Sequence, residues 1–74
     1  MEATFMTYEN RVMIQFEKML VDGEIIIKNK NNEIIHKQKI KNKSFTMIEL
    51  KENINNLFVE ILDNIENNKN VIEI

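Results

Sequence analysis

Once tight turns are placed at Glu9 with Asn10 and at Asp22 with Gly23, ten apolar residues of the first forty positions fall on one side of an extended backbone. The set is Ala3, Phe5, Val12, Ile14, Phe16, Leu20, Ile25, Ile27, Ile34 and Ile40. Successive side chains of a strand point to opposite faces, so a slip of a single residue would send a whole segment to the wrong side. That agreement constrains the segment to antiparallel ribbons, interrupted on the apolar side only by Lys18, His36 and Gln38. Asp-Gly is moreover a strong hairpin dipeptide. A competing pattern puts Phe5, Tyr8, Val12, Phe16 and Met19 on one face of a helix closed by Gly23, which gives a helix-hairpin-helix arrangement.

Residues 24–41 read as a β-hairpin, because the β-prone runs Ile25, Ile26, Ile27 and Ile34, Ile35 flank the polar stretch Asn29, Lys30, Asn31, Asn32. A four-residue loop pairs Ile27 with Ile34 and Ile25 with His36, and on the opposite face Lys28 with Glu33 and Glu24 with Lys37.

Residues 46–67 read as a helix. Thr46 and Glu49 have the spacing of a capping box, and Phe45 and Leu50 stand where a hydrophobic staple would fix the entry. Met47, Leu50, Ile54, Leu57, Phe58, Ile61 and Ile65 then recur at helical spacing, with Ile48, Val59 and Leu62 beside that stripe. The expected fold is therefore α+β: a four-stranded antiparallel meander packed on one C-terminal helix, in a single domain over residues 1–74. The apolar tail, residues 71–74, is expected to add a strand to its own sheet or to another chain's sheet edge.

With no cysteine and one histidine, the chain has neither a disulfide framework nor a metal-ligand set to staple a small core, so packing or a partner must hold it. The cytoplasm is the expected compartment, since neither a signal peptide nor an apolar stretch of membrane-crossing length is apparent. The Ile-, Asn- and Lys-rich composition is that of a low-GC genome.

Catalysis is not expected. Nucleophilic or acid–base chemistry draws on Cys, His or a carboxylate pair held in a cleft, and His36 lacks converging donors while Glu49, Glu52, Glu60 and Glu66 belong to the polar side of the expected helix. With Gly23 as its only glycine, the chain has no phosphate-cradling loop, and no cofactor is implied.

Two binding readings remain. The favoured one is a non-enzymatic protein-binding module, such as a phage-type inhibitor of a host protein or an accessory subunit. It docks on a partner or on a second copy through the outer sheet face, where Met6, Tyr8, Met13, Met19, Val21, Ile26 and Ile35 gather. An inhibitor could also present Glu49, Glu52, Glu60, Asp63 and Glu66 as a phosphate-like array. The alternative is a nucleic-acid binder that uses the lysine-rich hairpin residues Lys28, Lys30, Lys37, Lys39, Lys41 and Lys43. Residues 24–43 carry six lysines against two acids, yet the chain as a whole has a net charge of -2. Lysines along an edge also serve to prevent edge-to-edge aggregation.

Overall fold

The computed structural model describes residues 2–51 and 54–74. They form one curled antiparallel sheet of five strands: β1 (Ala3–Tyr8), β2 (Arg11–Lys28), β3 (Ile34–Glu49), β4 (Phe58–Asp63) and β5 (Asn68–Glu73). No helix occurs among the described residues, so the protein is all-β, and both the α+β meander and the helix-hairpin-helix arrangement are corrected. It follows that no helix among those residues is long and apolar enough to cross a membrane.

The spine is β2. One of its edges carries β3 throughout, while the other carries β1 along its first part and β4 along its last, with β5 outside β4. The turn at Glu9 and Asn10 forms, with Tyr8 opposite Arg11. The expected turn at Asp22 and Gly23 does not, because β2 runs straight through it. Gly23 is needed there for a different reason: a Cβ would collide with the backbone carbonyl oxygen of Leu62 and stand 2.8 Å from Leu20 Cδ2. The glycine lets β4 lie against the spine.

The curl is concentrated where β2 passes from β1 to β4. Between the pairs Gln15–Phe45 and Leu20–Lys43, residues 16–19 of β2 span what Ser44 alone spans on β3. Extra residues on one strand bend it and increase its twist, and Asn42 of β3 adds a left-handed kink at φ 52°. The bend folds the sheet over a core of twelve buried apolar residues, from Val12, Ile14 and Phe16 through Ile25, Ile27 and Ile40 to Ile48, Val59 and Ile61. Ala3, Phe5, Ile54, Ile72 and Ile74 pack against it.

In place of the helix expected over residues 46–67 stand the end of β3, β4 and a turn, with residues 52 and 53 lying outside the described residues. Thr46, Ile48 and Leu50 alternate inward with Phe45, Met47 and Glu49 outward, and Phe58 to Asp63 is a β-prone run. Asparagine tips the balance: Asn56 and Asn67 adopt positive φ of 55° and 56°, a conformation that Asn tolerates and that ends regular structure. Asp63 Oδ1 accepts hydrogen bonds from the backbone N–H groups of Ile65 (3.0 Å) and Glu66 (3.2 Å), closing the β4–β5 turn. The tail joins its own sheet as β5, where Val59 faces Ile72.

The β2–β3 hairpin is shifted by two residues from the expected register. Ile27 faces His36, Ile25 faces Gln38 and Glu24 faces Lys39, while Lys28 faces Ile34 across a bulge. A shift of two preserves the faces, so His36 and Gln38 still point inward, half-buried, with His36 Nε2 3.0 Å from Gln38 Oε1. Ile34, expected inside, is exposed beyond the bulge. Asn29 builds the hairpin loop, its Oδ1 accepting from the N–H groups of Asn31 (2.9 Å) and Glu33 (3.0 Å).

Candidate interaction surface

Where β1, β2 and β3 run side by side, three cross-strand rows face outward. Thr4, Gln15 and Phe45 form one, Met6, Met13 and Met47 the next, and Tyr8, Arg11 and Glu49 the third. Residues directly opposite in an antiparallel sheet share a face, so the three methionines make a continuous band flanked by Phe45 and Tyr8. Met6 (51 %), Met47 (52 %), Phe45 (45 %) and Tyr8 (61 %) are all largely open to solvent. The layer beneath is rigid, because Val12, Ile14, Thr46 and Ile48 on the reverse side of β2 and β3 are buried. Asn10 pins the end of β3 to the β1–β2 turn: its Nδ2 donates to the Leu50 carbonyl at 2.7 Å, and its own carbonyl accepts from the Leu50 N–H at 2.8 Å.

The band is more apolar than a solvated sheet face requires. Its charged margin is balanced, with Arg11 Nε 3.8 Å from Glu49 Oε2 in an exposed pair. Methionine side chains are flexible and polarizable, suited to moulding onto another apolar surface.

The residues expected to form one docking face are not all brought together. Met6, Tyr8 and Met13 meet in the band. Met19 lies on the bulged stretch of β2 and Val21 just past it, beside a cleft of about 380 Å³ that also involves Glu2, Glu17, Ile65 and Glu66. Ile26 is half-buried at the other end of the sheet between Lys37 and Glu60, and Ile35 is exposed near the hairpin tip. Sequence reasoning missed Phe45 and Met47, which it placed in the entry and stripe of a helix. Their signal was strict alternation with Thr46, Ile48 and Leu50.

The lysines are dispersed in role. Lys28 Nζ is 2.9 Å from Glu60 and Lys37 Nζ is 3.7 Å from Glu24, whereas Lys30, Lys39, Lys41 and Lys43 are exposed and have no carboxylate within 4.0 Å among the described residues. The acidic array does not assemble. Glu60 is buried on β4 and held by Lys28 and by Lys69 at 3.2 Å, Glu49 stands by Arg11, and Glu52 lies outside the described residues. Hydrogen bonding from Lys28 holds the Glu60 carboxyl below its ordinary range, against the opposing effect of burial. Asp63 and Glu66 share the β4–β5 turn near the cleft. There Glu17 is pushed up, chiefly by hydrogen bonding to the Glu2 carboxyl and then by its charge. The described residues bring no group of three His, Cys, Asp or Glu to metal-binding proximity.

Comparison with protein-family models and with curated proteins finds no match for this chain.

Proposed function

We propose that this chain is a non-enzymatic protein-binding module of the cytoplasm, acting as an inhibitor or accessory subunit, that docks through the outer face of β1, β2 and β3. The observation that supports it is the Met6–Met13–Met47 row, continuous across three strands and extended by Phe45 and Tyr8. Buried side chains on the reverse side hold the strands in place, so the ordering cost of binding falls on the methionine side chains and not on the backbone. Aromatic residues and methionine are the types enriched in the centre of protein interfaces, and the Arg11–Glu49 pair at the margin resembles an interface rim.

The test is a comparison of the wild type with Met6→Glu/Met47→Glu, after circular dichroism and thermal melting show that the variant keeps its fold. Solution mass is measured by light scattering, and each protein is used as bait in extracts of its native host. The proposal requires that the wild type either self-associates or retains a stoichiometric partner, and that the paired substitution abolishes this. A wild type that is monomeric and partnerless, or a variant that behaves identically, defeats it.

A further inference from the structure

The other side of β3 is unoccupied by any strand. Among the described residues this sixteen-residue strand pairs only with β2, which leaves its far edge without a partner strand. An edge strand presents a row of unpaired N–H and C=O groups, a template on which another extended chain can pair. Between the bulge at the hairpin end and the left-handed Asn42, the edge over residues 36–41 is regular, each residue in register with β2. No proline interrupts it, and among the described residues no strand other than β2 packs against it.

Charge then selects what can pair there. Lys37, Lys39 and Lys41 stand at alternate positions and so project from one face, about 7 Å apart. Across the sheet on β2 they face Ile26, Glu24 and Asp22. The sheet thus runs from an acidic row on β2 to a basic row on β3, and the open side of the basic row has no counterpart. A second copy of this edge, paired antiparallel, would set lysine against lysine, which is unfavourable in directly opposed cross-strand positions. An extended segment with acidic residues at alternate positions would set a carboxylate against each lysine while its backbone completes the ladder.

We infer that the β3 edge over residues 36–41 is a β-augmentation site for an extended acidic peptide segment of a partner protein. The site is separate from the methionine row, so either can fail without the other. The open backbone ladder is what favours a peptide over a nucleic-acid strand, which would use the lysine charges alone.

The probe is a blocked peptide of four Val-Glu repeats, titrated into the full chain and followed by amide hydrogen exchange and fluorescence anisotropy. Saturable binding with new protection of amides in residues 36–41 is expected. Lys39→Glu/Lys41→Glu should weaken it about tenfold or more, from reversal of two cross-strand charge pairs, while Lys30→Glu in the hairpin loop leaves it nearly unchanged. N-methylation of the peptide on its pairing edge should abolish binding to the wild type, a readout that needs no protein variant. The inference is overturned if the N-methylated peptide binds equally well, if a Val-Lys peptide does as well as the acidic one, if oligothymidylate binds and the peptide does not, or if nothing binds.

Discussion

Replacing Gly23 with alanine probes the packing of β4 on the spine. The new methyl meets the Leu62 carbonyl oxygen, which belongs to backbone, and Leu20 Cδ2 and Cδ1 at 2.8 and 3.1 Å. The leucine can rotate away, but the carbonyl can withdraw only if β4 moves. That movement loosens the pairs Gly23–Asp63 and Glu24–Leu62 and the bond from the Asn64 N–H to the Asp22 carbonyl at 2.9 Å. Overpacking of this kind costs roughly 1–3 kcal/mol, and one or two weakened ladder bonds add about 1 kcal/mol each. Against this, the stiffer unfolded chain returns about 0.4–1 kcal/mol. A net loss of about 2–3 kcal/mol lowers the melting temperature by roughly 8–24 °C for a chain of this size. Thermal denaturation reads the total, and amide exchange shows whether protection is lost first in β4. Adding Leu20→Ala should not restore stability, because the immovable obstacle is the carbonyl. If Gly23→Ala is neutral or stabilising, residue 23 is not pressed against β4 and the reasoning is refuted.

Glu60→Gln leaves Lys28 and Lys69 without their shared carboxylate and should cost about 1–3 kcal/mol at neutral pH, less than a fully buried pair because Lys69 is largely exposed. Since the folded state holds Glu60 below its unperturbed value of 4.5, its contribution is present above that pH and is lost as the pH falls through the lowered value. The urea midpoints of wild type and variant should therefore begin to converge below pH 4.5 and meet once the pH has fallen through the lowered value, and a gap that does not narrow in acid would contradict the pairing. Glu17 has the opposite sign: its raised carboxyl favours the folded state at low pH and loses that favour as the pH rises. Glu17→Gln should accordingly stabilise the protein slightly at pH 7 and not at pH 4, measured by the same midpoints; equal effects at both would show that Glu2 and Glu17 do not interact.

The inward face of the front half was legible because alternation is a local property. Val12, Ile14 and Phe16, and separately Ile25, Ile27 and Ile40, are buried as alternation implied, but the change of parity between the two groups comes from the bulge after Gln15 and not from the expected turn at Asp22 and Gly23. The two-residue error in hairpin register left Ile25, Ile27 and Ile40 in place, since an even shift keeps the faces, and only Ile34, beyond the bulge, turned outward. The back half misled because residues 46–67 carry apolar side chains at helical spacing, while their first part, residues 46–50, also alternates and residues 58–63 form a β-prone run. Thr46 and Glu49 mimic a capping box, yet Thr46, Ile48 and Leu50 alternate with Met47 and Glu49, and the asparagines that follow favour turns over helix interiors. Gly23 misled for a long-range reason: the Asp-Gly pair looks like a turn, whereas the demand for glycine comes from Leu62, thirty-nine positions away. The candidate site inherits this division. Met6, Tyr8 and Met13 were readable from strand parity, while Phe45 and Met47 became visible only when the expected helix proved to be the end of β3.

The most direct test of the docking face is an NMR titration of protein carrying ¹³C-methyl methionine, followed as its own concentration is raised and as the captured partner is added. The methyl signals of Met6, Met13 and Met47 are expected to shift or broaden together while that of Met19, on the bulge beside the cleft, stays put. A response confined to Met19, or none at any methionine while a complex forms, would contradict it.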